Sequence, residues 1–84
     1  MPPAYQLTHK ALDDLDGIWT YIAADSADSA ARVESVILEA CEGLARHPML
    51  GSKRAEITPF PVRFCVVTRY PNYIVVYLPE TRAF

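Results

Sequence analysis

Residues 62–78 read VRFCVVTRYPNYIVVYL and contain two short runs of β-branched and aromatic residues. Residues of these types favour strands, and the interruption at Tyr70-Pro71-Asn72 is typical of a turn. The sequence therefore predicts a β-hairpin with strands at about Val62–Arg69 and Tyr73–Leu78. Antiparallel pairing of these strands places alternate side chains on opposite faces of the sheet.

Two amphipathic helices are predicted upstream of the hairpin. The first runs from about His9 to Ala24 with Thr8 as its N-cap, and the second from about Asp28 to Arg46 after a break at Asp25-Ser26. Apolar residues recur every three or four positions, which places them on one stripe of each helix. These residues are Ala11, Leu12, Leu15, Ile18, Trp19, Ile22 and Ala23 in the first helix and Val33, Val36, Ile37, Ala40, Cys41 and Leu44 in the second. The short break indicates an antiparallel helical hairpin.

The remaining segments complete the element order. Ala4–Thr8 is predicted to be a short strand because apolar Tyr5 and Leu7 flank polar Gln6. Residues 47–61 contain three prolines and a glycine, which indicates a connecting loop. The order β-α-α-β-β predicts an α+β fold, a helical hairpin packed on a small antiparallel sheet, as a single domain over residues 1–84.

The composition restricts the class of protein. The 84 residues are 51% hydrophobic without a run long enough to span a membrane, and the start lacks the layout of a signal peptide, so we expect a cytoplasmic protein. Cys41 and Cys65 are too few and too far apart for a disulfide framework or a zinc site. The sequence predicts no metal and no cofactor.

Charge is distributed unevenly along the chain. Residues 1–42 carry two basic and eight acidic side chains, a formal charge of −6, whereas residues 43–84 carry six basic and two acidic ones, a charge of +4. The basic half suits a polyanion or an acidic partner, or is ordinary solvated surface. The overall charge of −2 argues against a strong, non-specific nucleic-acid binder.

The strand register predicts which side chains lie on the open face of the sheet. If Arg69 pairs with Tyr73, the residues that pack under the helices are Phe64, Val66, Ile74, Val76 and Leu78. The opposite face then carries Arg63, Cys65, Val67, Arg69, Tyr73, Val75 and Tyr77. Because arginine grips phosphate and tyrosine stacks on bases or anchors interfaces, this face is a candidate polyanion- or partner-binding surface. The alternative is that these side chains only cover an edge of the sheet, and a one-residue slip would exchange the two faces.

Candidates for catalytic chemistry are few. His9 and His47 have no carboxylate or cysteine at ligand spacing and are expected on the surface or at helix ends. Cys41 is expected in the core, and Cys65 on the predicted open face has no neighbour certain to activate it. The sequence contains no Gly-rich phosphate loop, nucleophile elbow or acid pair. The residue pattern alone therefore does not support an enzyme.

Three segments together resemble the RelE/ParE superfamily of type II toxins, and its ParE-like branch most closely. Residues 12–23, LDDLDGIWTYIA, are similar to the family's acidic first helix, and residues 44–51, LARHPMLG, to the exit of its second helix. Residues 62–64, VRF, and 72–77, NYIVVY, resemble its strand hairpin. The order and spacing of these segments cover nearly all of the chain.

The resemblance implies a toxin that a cognate antitoxin neutralises by wrapping over it. ParE-like members are associated with poisoning DNA gyrase, and RelE-like members with ribosome-dependent mRNA cleavage. Under the second activity, Arg63, Arg69, Tyr73 and Tyr77 would be the catalytic positions. The same four residues, with Lys53 and Arg54 on the preceding loop, are the predicted partner- or nucleic-acid-binding residues. The acidic net charge favours the gyrase-directed branch.

The sequence departs from the family at its end. Family members usually continue past a segment like Leu78-Pro79-Glu80-Thr81-Arg82 into a further strand, whereas this sequence ends at Phe84. We therefore expect an unpaired strand edge that an antitoxin segment or a second copy of the chain covers by β-augmentation. The departure also admits a third interpretation, an inactive, truncated toxin that serves as a binding module.

Overall fold

A computed structural model describes residues 5–79 and 84. Two helices, α1 (His9–Ala23) and α2 (Ala27–Arg46), precede three strands, β1 (Ser52–Lys53), β2 (Arg63–Val66) and β3 (Ile74–Tyr77). The strands form an antiparallel sheet in the order β1-β2-β3, and the helical hairpin packs on one face of it. The predicted α+β fold is confirmed. Within the described ranges, no helix is both long and apolar enough to cross a bilayer.

Helix α1 begins at the predicted residue, His9, and α2 begins at Ala27, one residue before its predicted start. The hydroxyl of Thr8 accepts a hydrogen bond from the backbone N–H of Ala11 at 3.1 Å, and the hydroxyl of Ser26 accepts one from the N–H of Ser29 at 3.1 Å. Each cap satisfies one of the N–H groups that the first turn of a helix leaves without an intrahelical partner. Ser26, which lies in the break that the sequence shows before α2, is the N-cap of this helix.

The core is built on α2. Its predicted apolar stripe is buried, with Val33, Ile37, Cys41 and Leu44 all inside. No side chain of α1 is fully buried, although Leu15, Ile18 and Ile22 pack against the core. Leu12 and Trp19, which the periodicity places on the same stripe, are exposed. Helix α1 therefore contacts the core along a narrow line and leaves one side open.

The register of the hairpin differs from the predicted one by two residues. Cys65 lies opposite Val75, and Arg63 lies opposite Tyr77. The connection is longer than expected because the N–H of Tyr70 bonds to the carbonyl of Val67, and the N–H of Tyr73 bonds to the carbonyl of Tyr70, each at 2.9–3.0 Å. These two bonds turn the chain before Arg69 can join β2. A shift of two residues preserves the alternation of side chains between the faces.

The assignment of the two faces is nevertheless reversed. Val67, Val75 and Tyr77 are buried under the helices, with Tyr77 only 1% exposed. The predicted core side chains Val66, Ile74 and Val76 are 46–54% exposed on the open face. We call the face that carries Val67, Val75 and Tyr77 the tyrosine face. This face is buried because an aromatic ring covers more apolar area than an aliphatic side chain does. The tyrosine hydroxyl can be buried as well, since it finds hydrogen-bond partners.

Two further differences concern short strands. The predicted strand Ala4–Thr8 is not present in the described residues 5–8, where only an isolated bridge occurs at Gln6, and Ala4 lies outside the described residues. Conversely, β1 pairs with β2 in the middle of the predicted loop, with Ser52 opposite Phe64. Two residues are too few to show an alternating pattern, so the sequence carried no signal for β1.

Phe84 is part of the core. Its N–H donates to the carbonyl of Gln6, and its carbonyl accepts from the N–H of Thr8, both at 2.7 Å. Its ring centroid lies 5.1 Å from those of Tyr5 and Tyr77, within the range of favourable aromatic pairs. Glu80, Thr81 and Arg82, which entered the family comparison, lie outside the described residues.

Candidate functional site

Arg63 is held by the loop that follows α2. Its Nη1 donates to the carbonyl of Gly51 at 2.6 Å and lies 3.5 Å from the carbonyl of Met49. Its Nε is buried and has no hydrogen-bond partner in the described part of the chain. The guanidinium thus ties β2 to this loop through its Nη1 atom.

Tyr77 fixes the same loop from the neighbouring strand. Its hydroxyl accepts a hydrogen bond from the N–H of Gly51 and donates one to the carbonyl of Pro48, both at 2.8 Å. A Cβ at Gly51 would lie 2.6 Å from this hydroxyl and 3.0 Å from the carbonyl oxygen of Phe64. Glycine at position 51 is therefore required by the close approach of Tyr77 and β2, and Tyr77 is a core residue and not an open-face residue.

The other predicted site residues do not converge on one surface. Tyr73 is half-buried and packs against the core from the end of the hairpin turn. Arg69 is exposed in that turn, whereas Lys53 and Arg54 are exposed at the far edge of the sheet, on and after β1. Arg54 lies 3.2 Å from the carboxylate of Glu56, an exposed ion pair that contributes little to stability.

The open face of the sheet is apolar. Phe64, Val66 and Ile74 line a shallow hollow of about 400 Å³ together with two exposed side chains of the preceding loop, Leu50 and Ile57. We call these five residues and Val76 the apolar face. Exposed apolar patches of this kind mark interaction sites. The signal in the sequence was the set of apolar residues at alternate positions of the hairpin, which were predicted to lie in the core.

A larger groove separates α1 from β3. It has a volume of about 890 Å³, and its lining includes Ile18 and Gly17 of α1, Ile74 and Val76 of β3, and Phe84. Asp13, Asp14 and Lys10 stand at its α1 side, where Lys10 donates to Asp14 at 2.6 Å. This ion pair and hydrogen bond raise the pKa of Lys10 above its usual value. Helix α1 packs mainly against α2, and the groove lies open between α1 and β3.

In the described residues, the cysteine and histidine side chains do not come together in a catalytic or metal-binding cluster. Cys41 is buried in α2, and Cys65 is half-buried on β2. His9 and His47 are exposed at the start of α1 and the end of α2. No cluster of three histidine, cysteine or acidic side chains that could hold a metal ion occurs in residues 5–79 and 84.

Stability should fall in alkaline solution because of Cys41. Burial, with a smaller contribution from Cys65, raises the pKa of the Cys41 thiol from 9.0 to about 11. The unfolded chain releases this proton near pH 9, whereas the folded chain keeps it, so the free energy of unfolding should decrease by about 2–3 kcal/mol from pH 9 to pH 11. Denaturant titrations should show a shallower decrease for Cys41→Ala than for Cys65→Ala. If stability decreased equally steeply with pH in both variants, Cys41 would not be the source of the loss.

One comparison with known proteins is decisive. A family profile described as "ParE toxin of type II toxin-antitoxin system, parDE" matches residues 5–83. The chain belongs to this ParE toxin family. Neither the curated proteins nor the solved structures give a significant match. The match spans both helices and the three strands of the described residues. Membership of this toxin family implies a cognate antitoxin as a partner.

Proposed function

We propose that this ParE-family toxin inhibits DNA gyrase by binding and trapping it, in the cytoplasm, and that its cognate antitoxin neutralises it. The family match over residues 5–83 carries the proposal. Growth arrest and plasmid stabilisation are the cellular results that such an activity would produce. The target enzyme, the neutralisation and the cell compartment are the parts that experiment must test.

The open side of the sheet supports binding as the mode of action. The apolar face offers Val66, Ile74 and their neighbours for contact with a protein, and desolvated apolar anchors supply most of the energy of such interfaces. Lys53, Arg54 and Arg69 are exposed at the margins of the sheet, at positions suited to phosphates of gyrase-bound DNA. We propose these three cations as the binding residues among the six that the sequence suggested.

The mRNA endoribonuclease alternative loses support from the same geometry. It requires Arg63, Arg69, Tyr73 and Tyr77 on one accessible face as phosphate clamp and proton-transfer groups. Tyr77 is buried with both hydrogen-bonding functions of its hydroxyl engaged, and Arg63 is bonded to the carbonyl of Gly51. Arg69 and Tyr73 therefore do not form a phosphate clamp together with Arg63 and Tyr77.

A supercoiling and cleavage assay with purified gyrase tests the proposal. The chain should stop supercoiling and accumulate cleaved DNA, and prior addition of the antitoxin should abolish both effects. Relaxation by a type I topoisomerase, which is the specificity control, should not change. If gyrase is unaffected at high excess while the antitoxin still binds, the proposal fails and the binding-module interpretation stands. Cleavage of mRNA on translating ribosomes would instead establish the ribonuclease alternative.

A further inference from the structure

One side of helix α1 exposes two large apolar side chains with an acidic residue between them. Leu12 is 48% exposed and Trp19 is 39% exposed. They are about two helical turns apart in the sequence and therefore lie on the same side of the helix. Asp16 is exposed, and it follows Leu12 by one turn and precedes Trp19 by one turn, so it lies beside both. We call these three residues the α1 ridge.

The hollow on the apolar face carries the opposite charge. Its lining is largely apolar and includes Leu50, Ile57 and Val66, and Arg54 is the charged residue in this lining. The ion pair of Arg54 with Glu56, at 3.2 Å, engages its Nε atom. A guanidinium has two further amino groups, which can bind a second carboxylate. The hollow is thus suited to a large apolar side chain with an acidic residue next to it.

We propose that the chain associates with a second copy of itself, with the α1 ridge of one copy seated on the hollow of the next. Trp19 enters the hollow, whose volume is about 400 Å³, and Asp16 meets Arg54 at its rim. Tryptophan and arginine are enriched among the residues that contribute most to protein–protein interfaces.

Charge complementarity favours a second copy as the occupant. The acidic half of the chain, residues 1–42, contains the ridge, and the basic half, residues 43–84, contains the hollow. The helices pack on one face of the sheet and the hollow lies on the other, so one copy presents both surfaces. Pairing of two apolar faces would instead bring Lys53, Arg54 and Arg69 of both copies to one rim, and like charges there disfavour it.

The contact is head-to-tail and weak. A head-to-tail contact leaves one surface of each copy unused, so further copies add in a ring or a chain. With two apolar side chains on the ridge, the interface falls in the small, transient class, and we expect a dissociation constant of about 10 µM to 1 mM. Gyrase assays use nanomolar toxin, so this association does not affect them, and the proposal does not depend on the target of the toxin.

The test measures association of the full chain as its concentration rises from about 1 µM to about 1 mM. Sedimentation equilibrium should show an average mass that increases above that of the monomer. Trp19 is the only tryptophan in the sequence, so its fluorescence reports on the ridge alone. The emission should shift to shorter wavelength with the same midpoint, because the indole ring leaves water in the associated state.

Two charge reversals test the proposed pairing. Asp16→Arg and Arg54→Glu should each weaken association about fivefold or more, because like charges then meet at the rim. An equimolar mixture of the two variants should associate within about twofold of the unmodified chain, since opposite charges meet again. Asp13→Arg is the control and should change affinity less than about twofold, because Asp13 lines the groove beside β3 and not the ridge. All three positions are exposed, so the fold should be retained.

Several results would overturn the proposal. They are a monomer over the whole concentration range, a rise in mass without a shift of the tryptophan emission, and a mixture that associates no better than its components. Association that Val66→Asp abolishes and Asp16→Arg leaves unchanged would assign the apolar face to a symmetric dimer. The experiment contains neither gyrase nor antitoxin, so its failure leaves the gyrase proposal intact, and a negative supercoiling assay leaves the association intact.

Discussion

Tyr77→Ala should lower the free energy of unfolding by about 3–5 kcal/mol. The substitution leaves a cavity where the best-buried ring of the sheet packs against Phe84, and it removes the two hydrogen bonds that hold the loop after α2. A domain of this size is stable by only roughly 4–13 kcal/mol, so the substitution removes a large fraction of its stability. Urea denaturation followed by circular dichroism measures the change.

Three companion variants separate the causes. Tyr77→Phe keeps the ring but leaves the N–H of Gly51 without its partner, which should cost about 1–3 kcal/mol. Gly51→Ala should cost about the same, because its Cβ meets the Tyr77 hydroxyl and a backbone oxygen at 2.6–3.0 Å. Tyr21→Ala is the control, since Tyr21 is 82% exposed and should change stability by about 0.5 kcal/mol at most. If Tyr77→Ala lowered the free energy of unfolding no more than Tyr21→Ala does, the tyrosine face would be the solvent-exposed face of the sheet.

The helical part of the fold follows from local sequence rules. Thr8 and Ser26 cap α1 and α2 because their hydroxyls reach backbone N–H groups three residues ahead, an interaction that depends on neighbouring residues alone. The spacing of Val33, Ile37, Cys41 and Leu44 likewise identifies the buried side of α2 without knowledge of the partner surface. These features need no information about distant parts of the chain.

Local sequence rules could not determine which face of the sheet is buried. Both alternating sets of β2 and β3 are largely apolar, so binary patterning does not distinguish them. The decision depends on non-local partners, namely the bonds from Tyr77 to Gly51 and Pro48 and from Arg63 to Gly51, 12–29 residues away. Arg63 and Tyr77 suggested a chemical site, whereas their hydrogen bonds stabilise the loop. The candidate interaction surface consequently contains apolar strand residues that the alternation had placed inside, together with Leu50 and Ile57 of the loop.

Val66→Asp should reduce gyrase poisoning by about tenfold or more without unfolding the domain. Val66 is 50% exposed on the apolar face, so an aspartate there remains solvated in the free toxin. In a complex with gyrase the same carboxylate would have to be desolvated at a surface proposed to be buried, and it would lie near DNA phosphates. The amount of cleaved DNA as a function of toxin concentration measures the loss of potency.

Leu12→Asp is the matched control for this experiment. Leu12 is 48% exposed, but it lies on α1 and lines neither the hollow on the sheet nor the groove. Both variants introduce the same charge at an aliphatic position of the same exposure, so a general effect of acidity would reduce their potency equally. Full potency of Val66→Asp together with loss of potency in Leu12→Asp would move the gyrase-binding surface from the sheet to the helices. Thermal unfolding of both variants must match the unmodified chain, because only then does a change in potency report on contact with gyrase.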